Sequence, residues 1–290
     1  MTIINEKQFR HDRLVESTSP INKSICPLFS DNQNGDFDLL GSGVLIKLNA
    51  KYFLITAAHN IDHDYSSINT IYTYLESGFS PLYGETLICP FNEKREYYRN
   101  LDYCIIDLPP EIHTKITNFT FLTHTDILID YKSENEIYFA AIGYPGKQTK
   151  YHHHYNHIHS KLIVFECTHC TSNEYKLNNV DSSTHFLYRY YKEVLSHDLN
   201  VGKSPYPFGL SGGGLFILLH HLDGLNIKPI SKLAGISINH IRNSVMKYHY
   251  NIALKFGVIW NVIRKRYPDL SSLFPKSIEN NLETEFIKFN

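Results

Sequence analysis

The sequence predicts a mainly β protein built from antiparallel strands, and three observations lead to this fold class. Apolar segments are short and rich in β-branched and aromatic residues, as at 43–48, 52–56 and 103–106. Turn residues separate these segments, which is typical of strands. No segment of helical period lies between them, as the crossovers of a parallel sheet would require. Many short strands of this kind form a barrel or a sandwich.

The strand-like segments fall into two groups of nearly equal size. The first group also includes 71–75. Beyond a polar stretch at 123–136, the second group consists of the segments 137–142, 158–165, 185–190, 215–219 and 230–238. A polar stretch of that length is typical of a boundary between two compact units. We therefore predict an N-terminal extension at 1–21 and two antiparallel β-barrels, at 22–125 and 136–247.

One segment near the C-terminus has the period of a helix. Ile252, Phe256, Ile259 and Ile263 recur at spacings that place them on one helical face, and Pro268 should end the helix. We predict a C-terminal α-helix at 248–267 and a tail at 268–290. The cations at 264–266 suit the last turn of a helix, where they complement its dipole.

Composition limits the function classes. The 290 residues are 42% hydrophobic and 20% charged, as in a folded globular protein, and the formal net charge of −1 creates no general attraction to nucleic acid or anionic membrane. No stretch approaches the roughly 20 apolar residues of a membrane span, and the first residues are too polar for a signal peptide. Five cysteines in irregular spacing indicate reduced thiols. We expect a cytoplasmic protein with neither a nucleic-acid nor a membrane partner.

Three local patterns carry the chemistry. His59 ends a Thr-Ala-Ala-His segment after a strand, Asp102 precedes an apolar strand, and Ser211 lies in the glycine-rich segment 209–214. A serine hydroxyl is a poor nucleophile unless a base takes its proton, and a neutral imidazole suits that task. A carboxylate on the other ring nitrogen fixes the tautomer and stabilises the imidazolium. We predict Ser211 as nucleophile, His59 as general base and Asp102 as the group that orients it.

The glycines around Ser211 indicate an oxyanion-binding loop. They let the backbone follow a tight path, so that the N–H groups of Gly209 and Ser211 can point together at a developing oxyanion. Gly212 and Gly213 leave room for a substrate chain. This chemistry needs no cofactor, and we predict none. Asp107 competes with Asp102 for the acid role, but it has the opposite strand parity and should face solvent.

Together these motifs resemble those of the chymotrypsin-like (trypsin-like) serine peptidases, in which they occur in the order His, Asp, Ser. The resemblance covers about residues 22–265, and 141–146 is similar to the start of the second barrel in bacterial glutamyl-endopeptidase and HtrA-type members. It implies two barrels with the active site between them and a serine endopeptidase that acts through an acyl-enzyme. We expect a specific intracellular protein or peptide as substrate, and an activating or regulatory protein partner as a means of control.

The same resemblance implies where a substrate side chain would bind. Segment 234–238 looks like the strand that lines the specificity pocket, and Pro205 stands near the base of that pocket, where trypsins carry an acid. Leu210 replaces the aspartate that trypsins use for activation, so that ion pair is absent. Ser237 and His240 could polarise the pocket toward an acidic or amide side chain. The predicted substrate-binding residues are Pro205, Ser237, Ile238, Asn239 and His240.

Two other function classes stay open. Gly-x-Ser-x-Gly at 209–213 also fits the nucleophile elbow of α/β-hydrolase esterases, in which a parallel sheet surrounds the serine and the acid and histidine follow it. A peptidase-like binding module, catalytically silent or switched on by a partner, would carry the same motifs as the peptidase.

The histidine- and cysteine-rich segment 152–170 raises a separate possibility. Its spacing allows a structural zinc site with His157, His159, Cys167 and Cys170 as ligands. A polar hairpin loop followed by a half-buried strand accounts for the same residues, and the serine mechanism needs no metal. We therefore predict no metal, with this zinc site as the alternative.

Overall fold

The structure is a computed structural model, and it describes residues 6–31, 36–61, 70–90, 101–129, 138–146, 149–152, 157–191, 193–195, 201–203, 209–223, 226–241 and 248–274. Its helices are α1 (Glu6–Thr18), α2 (Pro110–His113), α3 (Ser172–Leu177) and α4 (Phe256–Arg266). Strands dominate the rest, which confirms the predicted mainly β class. None of the helices within these residues is both long and apolar enough to cross a membrane.

The N-terminal strands form one curled sheet. They are β1 (Ile25–Asp31), β2 (Phe37–Leu48), β3 (Lys51–Thr56), β4 (Ile71–Leu75), β5 (Gly78–Leu82), β6 (Glu85–Ile88) and β7 (Cys104–Asp107). Hydrogen bonds order them β5-β4-β1-β2-β3-β7-β6. Across the described residues the edge strands β5 and β6 do not pair with each other, so the barrel predicted at 22–125 has the form of a half-barrel.

The second group of strands forms a closed barrel of six strands and two separate two-stranded ribbons. They are β8 (Tyr138–Gly143), β9 (Thr149–His152), β10 (His157–Ser160), β11 (Ile163–His169), β12 (His185–Tyr191), β13 (Glu193–Leu195), β14 (Val201–Lys203), β15 (Gly214–Asp223), β16 (Asn226–Ile241) and β17 (Tyr248–Lys255). The barrel order is β11-β12-β17-β16-β15-β8, and β9 with β10 and β13 with β14 form separate ribbons. The second predicted barrel therefore closes, but it needs a strand beyond residue 247.

The α/β-hydrolase alternative is excluded by this topology. Every pairing between named strands in the described part of the chain is antiparallel. That fold requires a parallel sheet around its nucleophile.

The predicted helix at 248–267 is wrong in its first part. Residues 248–255 form β17, and α4 begins at Phe256. Large apolar residues occupy every second position along 248–254, namely Tyr248, Tyr250, Ile252 and Leu254. This strand period prevails because the segment pairs with both β12 and β16. Helix α4 ends at Arg266, just before Pro268 as predicted. The predicted tail at 268–290 begins with a 3-10 turn in which Leu270 is fully buried.

The predicted N-terminal extension contains a helix that the sequence analysis missed. Helix α1 packs on the second barrel, where Leu14 is fully buried and Ser231 Oγ donates to the Ser17 carbonyl at 2.6 Å. Arg13 forms an ion pair with Glu166. Few apolar residues mark this helix, so its stability comes from docking on the barrel.

The polar stretch predicted as a boundary does connect the two units. Ahead of it, Leu122 N–H donates to Leu45 O of the half-barrel at 2.9 Å, and within it Leu128 N–H donates to Leu233 O of the barrel at 2.8 Å. The largest apolar cluster contains side chains from both units. The half-barrel and the barrel therefore share a core along the cleft that holds the predicted site.

Candidate active site

The predicted base and acid lie side by side on the half-barrel. His59 belongs to a 3-10 turn (Ala58–Asn60) that follows β3, and Asp102 precedes β7. The His59 backbone N–H donates to Asp102 Oδ1 at 3.0 Å, and His59 Nδ1 lies 2.6 Å from Asp102 Oδ2. One carboxylate thus fixes both the backbone and the ring of the histidine.

The predicted nucleophile completes the arrangement from the other side of the cleft. Ser211 Oγ, just ahead of β15, lies 2.8 Å from His59 Nε2. With its proton on Nδ1, the ring donates to Asp102 and leaves Nε2 as the acceptor for the serine hydroxyl. The structure therefore brings His59, Asp102 and Ser211 into one hydrogen-bonded series.

Exposure differs along this series. The His59 side chain is 42% exposed, whereas that of Asp102 is only 10% exposed. The ring edge that faces Ser211 opens to the cleft, and the carboxylate is shielded from water. Shielding strengthens the interaction between a carboxylate and an imidazolium.

The glycine-rich loop adopts conformations that only glycine takes without strain. Gly209 has a φ of 90° and Gly212 a φ of 81°. A Cβ at Gly212 would also collide with the carbonyl oxygen of Ser42. In the described part of the chain, no protein group accepts a hydrogen bond from the N–H of Gly209 or Ser211. Both predicted oxyanion donors are therefore available.

Ser42 anchors the nucleophile loop, and the sequence analysis assigned it no role. It is fully buried, and its N–H donates to the Ser211 carbonyl at 2.8 Å. Its Oγ donates to the Gly209 carbonyl at 2.8 Å and accepts from the Tyr144 N–H at 2.8 Å. The signal was the serine between Gly41 and Gly43, a polar residue at the start of an apolar strand segment.

Thr56 and Asn60, which lie on either side of the predicted base in the sequence, also help to hold the nucleophile loop. Asn60 Nδ2 donates to the Ser211 carbonyl at 3.0 Å and to Thr56 Oγ1 at 2.9 Å. Thr56 Oγ1 donates to the Ser42 carbonyl at 2.7 Å. The turn that carries His59 therefore also holds the backbone of the nucleophile.

Four of the five predicted substrate-binding residues line a cleft of about 240 Å³ beside Ser211. They are Ser237, Ile238, Asn239 and His240. Pro205 lies outside the described residues. The cleft wall also includes Tyr188, whose hydroxyl lies 3.0 Å from Ser237 Oγ, and Asn251 of β17. Sequence analysis missed these last two residues.

Of the four alternative zinc ligands, the structure describes the side chains of Cys167 and Cys170. Cys167 and Cys170 are buried in different apolar clusters, and Cys167 Sγ donates to the Phe139 carbonyl at 3.7 Å. Burial raises the pKa of both thiols, which keeps them protonated. The strands place His157 and His159 in β10, but their side chains lie outside the described residues. Among the described side chains, no group of three potential ligands could hold a metal ion.

Asp107 does not join the series. It lies in β7 and forms an ion pair with Lys51 at 2.9 Å. The Asp107 side chain is 18% exposed, so it is more buried than the sequence predicted. Of these two carboxylates, it is Asp102 that contacts His59.

Comparison with known proteins adds no assignment. No protein-family model matches this chain, and no curated protein matches it in sequence. The resemblance to chymotrypsin-like peptidases rests on the motifs.

Proposed function

We propose that this protein is a serine endopeptidase. The observation that carries the proposal is the hydrogen-bonded series from Ser211 Oγ through the His59 ring to the Asp102 carboxylate, at the edge of a cleft. Such a series gives a serine hydroxyl a base and gives that base a counter-ion. Available N–H groups beside the nucleophile support acyl transfer.

Acylation follows from this geometry. His59 Nε2 takes the hydroxyl proton of Ser211 as Oγ bonds to the carbonyl carbon, and the carbonyl electron pair moves onto its oxygen. The N–H groups of Gly209 and Ser211 donate to this oxyanion. As the intermediate collapses, the C–N bond breaks and His59 gives its proton to the leaving amine. Asp102 stabilises the imidazolium throughout.

Deacylation repeats these roles with water as the nucleophile. His59 takes a proton from water as the oxygen attacks the acyl carbon, and the bond to Ser211 Oγ breaks. His59 then gives this proton to Ser211 Oγ. The products are a peptide acid and the free enzyme.

We also propose that the protein acts in the cytoplasm on a protein or peptide substrate. All five cysteines are buried, and none of them forms a disulfide within the described residues. Reduced thiols are typical of proteins in a reducing compartment. A regulatory protein partner would restrain such an activity.

A fluorophosphonate probe tests the proposal. We expect it to label the wild-type protein, to fail with Ser211→Ala, and to react far more slowly with His59→Ala. Ser271→Ala, which removes an exposed serine, should label like wild type. A folded wild-type protein that never reacts, with or without cell extract, would contradict the proposal and favour a binding module. Labelling only after extract is added would identify a partner-switched peptidase.

A further inference from the structure

A buried amide on the cleft wall has no partner within the protein. Asn251 is only 3% exposed and lines the cleft beside Ser211. Within the described part of the chain, neither its Nδ2 nor its Oδ1 has a hydrogen-bond partner. Burying an unpaired amide costs free energy, so native structures rarely keep one without a ligand or a function.

The described residues that line the cleft around this amide are largely polar and uncharged. Across the cleft wall, the Tyr188 hydroxyl lies 3.0 Å from Ser237 Oγ, and both residues are buried. No Lys, Arg, Asp or Glu is among the described residues that line the cleft. The histidines there are His59, which contacts Ser211, and His240, which is partly exposed. A buried substrate cation would therefore lack a counter-ion.

We infer that Asn251 determines specificity and that the cleft takes a carboxamide side chain, glutamine or asparagine, on the amino side of the scissile bond. A carboxamide carries one carbonyl acceptor and one NH₂ donor, which complement Asn251 Nδ2 and Oδ1. A carboxylate only accepts and would leave Oδ1 unpaired, while an ammonium only donates and would leave Nδ2 unpaired. The inference rests on the proposed function, because that function makes this cleft the one beside the scissile bond.

Peptide binding to the Ser211→Ala protein tests this inference without turnover. The probes are acetyl-Ala-Ala-Ala-X acids with X as glutamine, asparagine, glutamate, norleucine or lysine, measured by calorimetry. We expect glutamine or asparagine to bind at least about tenfold more tightly than the other three, because an analogue without the matching groups leaves buried polar atoms unpaired. Adding Asn251→Leu should abolish this preference.

A matched variant separates specificity from stability. Asn261 is also buried but lies in α4, away from the cleft, so Asn261→Leu in the same background should keep the carboxamide preference. If the Asn251 variant fails to fold, the side-chain NH₂ resonances of Asn251 in ¹⁵N-labelled Ser211→Ala protein should shift with the glutamine or asparagine peptide and not with norleucine. Equal affinities, preference for glutamate, no binding of any peptide, or preference retained without Asn251 would overturn the inference.

The two proposals can fail separately. Selective carboxamide binding by a protein that no fluorophosphonate labels would contradict the peptidase and leave the pocket assignment standing. Labelling of Ser211 without carboxamide selectivity would contradict the pocket assignment and leave the peptidase standing.

Discussion

The two units of the molecule hold their parts of the site in different ways. The half-barrel positions His59 through Asp102, which precedes β7 in the same unit. The barrel carries Ser211, and the carbonyl of Ser237 in β16 accepts from the Gly212 N–H at 2.7 Å. Ser42 and Asn60 of the half-barrel also hold the loop, from the other unit. The base is therefore positioned within one unit, whereas the nucleophile depends on contact between two. Substitutions around His59 and around Ser211 should therefore affect activity and stability in different ways.

The largest effect on activity should come from Asp102→Asn. The amide keeps the size of the carboxylate but favours the wrong ring tautomer and removes the charge that stabilises the imidazolium. We expect kcat/KM on a peptide substrate to fall about 10⁴-fold with little change in thermal stability. Asp107→Asn, at the end of β7, is the control and should keep nearly full activity. A loss of less than tenfold in the Asp102 variant would contradict its assigned role.

Gly212→Ala should damage the nucleophile loop through its backbone. The new Cβ meets the Ser42 carbonyl at a positive φ, so we expect a loss of about 3 kcal/mol in unfolding free energy and slow labelling of Ser211. Gly78→Ala is a matched control, because its φ is 107° and nothing lies within 4 Å of the added atom. It should cost about 1 kcal/mol and leave labelling unchanged. Urea denaturation and labelling rates would measure both, and equal effects would show that the contact with Ser42 is unimportant.

Ser42→Ala should misplace the nucleophile without removing any reacting group. It deletes the side-chain hydrogen bonds to Gly209 and Tyr144, and we expect labelling of Ser211 to slow about 10- to 100-fold. Ser24 is equally buried, and its hydroxyl donates within its own turn, to the Ile21 carbonyl at 2.6 Å. Ser24→Ala should lose stability and keep its labelling rate per folded molecule. Equal labelling rates in the two variants would argue against the anchor.

The smallest effect on the site should come from a substitution in the polar cluster of Glu174, Arg189 and Thr171 in the barrel unit. Burial raises the pKa of Glu174, but hydrogen bonds from Arg189 and Thr171 outweigh it and lower the pKa from 4.5 to about 2. A depressed pKa stabilises the fold above the unfolded value and loses that contribution as pH falls toward 2. We expect Glu174→Gln to cost about 1–2 kcal/mol at pH 6, a deficit that shrinks between pH 5 and pH 2. Denaturation across this range measures it, and a deficit independent of pH would contradict the sign.

Local motifs predicted the strands, and they singled out His59, Asp102 and Ser211, which the structure brings together. Each of these residues lies in a short segment that combines a strand pattern with one reactive side chain. Thr-Ala-Ala-His, which follows a strand and ends at His59, is an example. The glycines on both sides of Ser211 likewise indicated a tight loop, and Gly209 and Gly212 have the positive φ that such a loop needs.

Long-range packing explains what the sequence analysis missed. Asn251 fell inside the predicted helix at 248–267, because the spacing of Ile252, Phe256, Ile259 and Ile263 conceals that β17 ends at residue 255. Only pairing with β12 and β16 turns Asn251 toward the cleft. Whether the edge strands β5 and β6 pair and close the half-barrel also depends on contacts between distant segments. No short segment of sequence encodes such contacts.

Trapping an acyl-enzyme is the most direct test of the proposal that Ser211 is the nucleophile. Wild-type protein would be mixed with an activated peptide ester, quenched in acid within the first turnover, and examined by intact and peptide mass spectrometry. We expect one acyl group on Ser211, a much smaller yield with His59→Ala, and none with Ser211→Ala. An acyl group on another residue, or no adduct on a folded wild-type protein that binds the ester, would contradict it.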